Sequence, residues 1–287
     1  MRLCTGSVAI AALLAFSAAT QDRDGYVDYF IAKVKPERRA DFDALARKFA
    51  DANRKVNGDR WIAYKTEYGD NDTVYFSSAR ENMASIETAA AAFEKALKET
   101  FGAGSEAMMQ DMMKCMVSSR SEIRRRRYDL SSSSASDRAS IEKIVGAARF
   151  IRTRAVRVRP GHEAEFEDTQ RMVKEATDKK HPGYSVLAYQ SAAGQTGPVY
   201  YFSILAPSFA AFDEMKPLRE VLSEEEFQRY AKTNADCVIS SEIMIARIVP
   251  AMSNPPEAVV EVSREFWLPA APAAAMTARS KKGGDRR

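Results

Sequence analysis

The sequence predicts an α+β fold in which two tandem βαββαβ modules pack sheet to sheet. Three observations carry this prediction. The chain repeats its own motifs in order, each copy alternates strand-like and helix-like periodicities in the same sequence, and polar turns fall between the same elements of both copies. In the first copy Pro36 and Phe42 keep the same separation as Pro160 and Phe166 in the second. Ala63-Tyr64 then matches Ala188-Tyr189, Tyr75-Phe76-Ser77 matches Tyr201-Phe202-Ser203, and the stretch Cys115 to Ser119 matches Cys237 to Ser241.

The elements follow in chain order. Tyr26 to Lys35 alternates as a strand, Pro36 ends it, and Phe42, Leu45, Phe49 and Ala52 recur at helical spacing. Gly58-Asp59 breaks that helix, and Asp70-Asn71-Asp72 supplies the turn between the two middle strands. A second helical region spans 83 to 116, broken at Gly102 and Gly104, before a last strand over about 117 to 130. The second copy repeats the order. Phe150 to Arg159 is its first strand, and Phe166, Thr169, Val173 and Ala176 mark its first helix. Pro182-Gly183 and 194 to 198 are its breaks, 208 to 235 is a helical region interrupted near Pro217, and 238 to 249 is its last strand. Between the copies, 131 to 148 reads as a linker, with a flexible serine joint (Ser131 to Ser136) and a short helix starting at Asp137. Modules are therefore expected over 25 to 130 and 149 to 250. In the 251 to 287 tail, Ala258 to Trp267 is expected to add an edge strand or a clamp, with a disordered basic remainder.

Composition is that of an ordinary globular chain of 287 residues, 45% hydrophobic and 29% charged. The net charge of +4 is accounted for by the basic C-terminal end. With Arg2 also set aside, the remainder is slightly acidic, which argues against a nucleic-acid partner. Arg2, an apolar run from Val8 to Phe16 and the small residues Ser17 to Ala19 have the layout of a secretory signal cleaved near Ala19, so a periplasmic or secreted protein is expected. The run is too short for a stable membrane span, and Cys4 precedes it, which disfavours a lipoprotein.

Strand, helix, strand, strand, helix, strand is the ferredoxin-like order. Together with the duplication and the Ala-Tyr and Tyr-Phe strand pairs, it gives a chain that resembles the dimeric α+β barrel superfamily, which includes antibiotic-biosynthesis-type monooxygenases and NIPSNAP-like proteins. The resemblance spans about residues 25 to 250. It implies two ferredoxin-like βαββαβ modules forming an intramolecular dimeric α+β barrel with a lumen between the sheets. Activities in the group range from cofactor-independent oxygenation and haem chemistry to none known, so function must be argued from the site.

Strand alternation nominates the lumen residues. Ala32, Val34, Val156 and Val158 suit the helix-covered face. That leaves Tyr29, Ile31 and Lys33, with Thr153, Ala155 and Arg157, toward the lumen. On the last strands Val117, Ile123, Ile239 and Ile245 suit the helices. Arg120, Glu122, Arg124 and Arg126 then point inward against Glu242, Met244, Ala246 and Ile248. Trp61, Tyr64 and Tyr189 join the list as aromatic walls. Arginines facing apolar groups suit an amphipathic anion, such as an aromatic or fatty carboxylate. The competing reading makes Arg124 to Arg127 a solvated strand end and the aromatics ordinary sheet packing. A cofactor-independent monooxygenase of an aromatic substrate would also need a base. Glu67 and Glu122 qualify by type alone, and the third alternative is an interaction module with a filled lumen.

No cofactor is expected. The methionines from Met108 to Met116 invite Cu(I), but the second copy lacks them, so they read as packing. The chain has two histidines, His162 and His181, so no multi-histidine metal site is expected, and haem would need one of them in the lumen. Cys115 and Cys237 occupy equivalent positions away from any pseudo-symmetry axis and are expected to be separate buried thiols. No phosphate loop or serine-hydrolase motif occurs.

Overall fold

A computed structural model describes residues 25–268. The expected leader, with Cys4, and the basic tail from residue 269 lie outside the described residues.

The first half of the chain runs β1 (Tyr26–Val34), α1 (Arg39–Lys55), β2 (Ile62–Tyr68), β3 (Thr73–Arg80), α2 (Ala84–Phe101), α3 (Ser105–Lys114) and β4 (Met116–Arg126). After α4 (Arg138–Ala147) the second half runs β5 (Phe150–Val158), α5 (Glu163–Lys180), β6 (Val186–Ala193) and β7 (Val199–Ala206). It continues through α6 (Leu218–Val221) and α7 (Glu224–Cys237) to β8 (Val238–Ile248), and two short helices follow, α8 (Glu257–Val262) and α9 (Arg264–Trp267). The eight strands close into one barrel in the order β1-β3-β2-β8-β5-β7-β6-β4, with every neighbouring pair antiparallel. Closure leaves no open sheet edge. Two seams join the halves. Tyr64 pairs with Ile248 across β2 and β8, and Arg126 with Tyr189 across β4 and β6. Beside the second seam, Gly194 adopts φ +83°, and a Cβ there would fall on the Ser121 carbonyl, so only glycine fits.

Alternation along the strands separates an inner core from two outer ones. Tyr29, Ile31, Tyr64, Tyr75, Tyr189 and Tyr201 belong to the inner cluster. Ala32 and Val34 pack outward on Phe42 and Phe49 of α1, and Val156 and Val158 pack outward on Phe166 of α5. Phe42 and Phe166 are fully buried, each worth about 1.5 to 3 kcal/mol of transfer free energy.

Four expectations need correction. Val117 and Ile239 do point outward, but no helix covers them, and they are more than half exposed. Register shifts at Lys33/Val34 and Arg157/Val158 bring Met116 and Val238 opposite Val34 and Val158, and it is Met116 and Val238 that pack in the outer cores. The serine joint is ordered and partly buried. The Ser131 and Ser132 hydroxyls accept from the Ala188 and Val186 amides at 2.9 Å, extending the seam along β6. The segment after Pro256 is helical rather than an edge strand: α8 packs on α4, and the Trp267 indole donates to the Gly146 carbonyl at 2.9 Å. Finally, the arginines from 124 to 127 are not a solvated strand end, since Arg124, Arg126 and Arg127 are all buried.

The short helix expected from Asp137 is present, with the Asp137 carboxylate accepting from the Ser140 amide at 2.7 Å and Ser140 reaching back in a capping box. Among the described residues no helix is long and apolar enough to cross a membrane.

Candidate functional site

The inward residues of β4 run from one end of the barrel to the other in the order Arg126, Arg124, Glu122, Arg120. Across the lumen, the matching positions of β8 are Ile248, Ala246, Met244 and Glu242. One wall is therefore cationic and the facing wall largely apolar.

The middle of the lumen is packed solid. Arg124 is 3% exposed, and its guanidinium carbon lies 3.8 Å from the Tyr29 ring centroid and 3.6 Å from that of Tyr201. Such a desolvated cation between two aromatic faces is favourable only if its charge is also met. Glu122 meets it, accepting from Arg124 Nε at 3.0 Å and Nη2 at 2.7 Å. Glu122, 1% exposed, also accepts from the Tyr201 hydroxyl at 3.0 Å and Gln195 Nε2 at 2.6 Å, and pairs with Arg120 Nε at 2.9 Å. Burial pushes the Glu122 carboxyl up, but Arg124, Arg120 and Tyr201 outweigh it, so the group sits below its ordinary value and stays ionised. Burial likewise holds the Tyr64 and Tyr201 phenols above theirs, so both remain neutral donors. Tyr64 stacks on Tyr75 with centroids 5.0 Å apart.

This packed layer divides the lumen into two chambers. The smaller, about 270 Å³, lies at the Arg120 end among Arg157, Thr153 and Glu242. Arg157 reaches Gln195 only at 3.5 Å, and Lys33 is held at the same end by Asp70 and the Asn71 carbonyl. Arg120 itself is largely solvated, with a side chain 58% exposed.

The larger chamber, about 560 Å³, lies at the Arg126 end, between the barrel and helices α2, α4 and α8. Val27, Ile62, Ile151, Leu187 and Leu205 make its inner wall largely apolar, Tyr29, Tyr64 and Tyr189 add hydroxyl-bearing rings, and Asp59, Arg80, Glu142 and Glu257 line its outer part. Arg126 is the charged group that β4 delivers into it. The residue is 8% exposed and faces the Tyr189 and Tyr128 rings at 5.6 and 5.9 Å. Unlike that of Arg124, its guanidinium has no carboxylate or hydrogen-bond partner among the described residues. The mouth carries the exposed Arg138, which pairs with Glu142 at 2.9 Å and Glu81 at 3.0 Å and so links α4 to the start of α2.

Of the aromatic and charged residues nominated from sequence, Tyr29, Tyr64, Tyr189, Glu122, Arg124 and Arg126 come together in the lumen, while Lys33, Arg120 and Arg157 gather at the other mouth. Trp61 is misplaced. Its indole packs outward on Phe93 at 5.8 Å and donates to the Met252 carbonyl at 2.7 Å, because it stands one step out of phase with Ile62 and Tyr64. Alternation missed Gln195, a loop residue, and the plug residues Ile141, Val145 and Val259, which come from helices beyond any strand. Glu67, the other acid considered as a base, is paired with Arg247 at 2.7 Å outside this network. His162 and His181 lie in the helical layer, at the two ends of α5, and neither lines the two chambers. The methionines of α3 divide between core and surface: Met112 is buried in the outer core and Met113 is 61% exposed.

No protein-family model and no curated protein matches the sequence. Among solved structures, the chain is similar to a "putative monooxygenase" from Fusobacterium nucleatum, at 10% identity and TM-score 0.50, covering 79% of this chain and 93% of that one. It also aligns with an anthrone oxidase-like protein at 10% identity and TM-score 0.48 over 79% and 92% of the two chains. A mutant chlorite dismutase from Candidatus Nitrospira defluvii aligns at 10% identity and TM-score 0.45, over 83% and 94%. At these identities the likeness is one of fold: an α+β chain whose eight antiparallel strands close into a single barrel.

Proposed function

We propose that the protein binds a small amphipathic carboxylate in the Arg126 chamber, its anionic head on the guanidinium and its apolar body against Ile62, Ile151 and Leu187. One observation carries this reading. Arg126 is a buried cation facing a largely apolar cavity wall with no acid partner among the described residues, whereas its neighbour Arg124 is neutralised by Glu122. An uncompensated buried charge is costly, and a ligand that supplies the missing anion relieves that cost. The chamber volume falls in the range of small-molecule sites. On the same reading the chain is an internal duplication of the ferredoxin-like unit, a one-chain counterpart of the dimeric α+β barrels, and residues 1–19 direct it out of the cytoplasm.

The test is titration calorimetry with decanoate and 1-naphthoate, each beside its neutral amide. Carboxylates should bind and amides should not, and Arg126→Gln should weaken the carboxylates by about tenfold or more. If neither acid binds, or if Arg126→Gln binds them as well as the parent does, the proposal fails.

A second reading, cofactor-independent oxygenation of an aromatic substrate, draws on the name of the Fusobacterium neighbour and on the tyrosine-lined wall of the same chamber. It lacks a poised base. Glu122 is held below its ordinary pKa by the groups that bind it, which makes it a poor proton acceptor. Oxygen uptake with a phenolic substrate would nevertheless favour this reading over binding alone.

A further inference from the structure

The C-terminus of α7 and the first turn of α5 bring together three side chains that no part of the lumen argument uses. Cys237 Sγ lies 3.7 Å from His162 Nδ1, and His162 Nδ1 lies 3.6 Å from Glu165 Oε2. All three donor atoms fall within 4.8 Å of one another. A tetrahedral zinc ion with bonds of about 2.0 to 2.3 Å would hold its thiolate, imidazole and carboxylate donors about 3.3 to 3.6 Å apart. The observed spacings are a few tenths of an ångström from that for the two measured edges. We propose that His162, Glu165 and Cys237 form a site for a divalent transition metal of the zinc class, with water as the fourth ligand.

The donor set suits a borderline-soft cation. Cys237 is buried at the end of α7, where the helix places partial negative charge, while the His162 and Glu165 side chains are half exposed, so an ion has a route in from solvent. Burial and Glu165 push the free thiol up to about 11, so it is protonated at neutral pH, and metal binding would release that proton to solvent.

The other half of the chain provides an internal comparison. Two and five residues after Pro160 stand His162 and Glu165, and the same steps after Pro36 reach Arg38 and Asp41. There Arg38 Nε donates to Asp41 Oδ2 at 2.7 Å, and the equivalent Cys115 donates to the Asp111 carbonyl. The same place in the fold thus holds a salt bridge in one half and a ligand triad in the other. Arginine cannot ligate a metal as imidazole does.

The experiment uses the tag-free full chain, stripped with chelator and titrated with Co²⁺ and then with Zn²⁺. One equivalent of Co²⁺ should bind with a sulfur-to-cobalt charge-transfer band, and Zn²⁺ should abolish the band by displacement. His162→Arg, which copies the arrangement tolerated in the other half, should lose the band while keeping the parent circular dichroism spectrum. Cys237→Ser should lose it as well, and Cys115→Ser should keep it. Absence of the band in the parent, its persistence in His162→Arg, or its loss in Cys115→Ser would each overturn the proposal.

Discussion

Glu122 and Arg124, two residues apart on β4 and turned to the same side, form a buried pair in which one carboxylate oxygen receives both Nε and Nη2 of the guanidinium. Removing one partner of such a pair strands the other in a medium of low dielectric constant. Glu122→Ala should therefore destabilise the fold by about 3 to 5 kcal/mol, read as a shift in the urea midpoint at unchanged slope. A loss below about 1 kcal/mol would mean that Arg124 finds water or another acid in its place.

The same pair should make stability acid-sensitive. Because the Glu122 carboxyl lies below its ordinary value of 4.5 when folded, the folded state binds its proton less readily than the unfolded chain does. Its contribution is then fully present above pH 4.5 and is lost as the pH falls through the lower folded value. Unfolding free energies from about pH 6 to about pH 3 should fall less steeply for Glu122→Gln than for the parent. Parallel curves would show that the other paired acids, such as Asp129 and Glu167, carry the whole effect.

Arg126 predicts the opposite sign. Replacing a buried cation that has no acid partner among the described residues by an apolar side chain of similar length removes a cost without orphaning a partner, so Arg126→Met should be neutral or stabilising by up to about 1 to 2 kcal/mol. Arg124→Met should instead be destabilising, since it leaves Glu122 buried with fewer donors. Differential scanning calorimetry of the two variants tests the contrast directly, and a similar loss of Tm in both would contradict it.

Gly146 sets the distance between α4 and α8. An added Cβ would lie 2.7 Å from the Val259 carbonyl and 2.5 Å from Val262. In an open helix Gly→Ala gains about 1 kcal/mol, but overpacking here should cost about 1 to 3 kcal/mol and force α8 off the barrel end. Gly146→Ala should therefore lower Tm and increase cleavage by protease near residues 257 to 267.

Much of the inner wall was legible because a strand's two faces depend only on parity. Arg120, Glu122, Arg124 and Arg126 share a face with their counterparts on β8 wherever β4 remains regular. Parity fails at bulges, which is why Met116 and Val238 rather than Val117 and Ile239 pack in the outer cores. Parity also separates Trp61 from Tyr64, but grouping the aromatics as one wall hides it. The chamber's ceiling is a different matter: α4 and α8 meet across more than a hundred residues, and nothing local to Ala258–Trp267 says that those apolar side chains cover a barrel end. Nor does the sequence reveal that Arg124 has its own acid and Arg126 has none among the described residues, because that difference depends on which side chains reach across the lumen.

The difference between the two walls has a consequence for how such a site can evolve. In a barrel made from two identical subunits, every lumen residue is answered by its own copy across the two-fold axis, so an arginine at the position of Arg126 would bring a second buried cation with it. Here the partner position is free to be Ile248, and Met244 faces Glu122 in the same way. On the proposed duplication, covalent linkage of the halves lets each inward position mutate once rather than twice. A cation can then be set on one wall of the lumen with an aliphatic group at the matching position, a lopsided design that a symmetric assembly cannot encode.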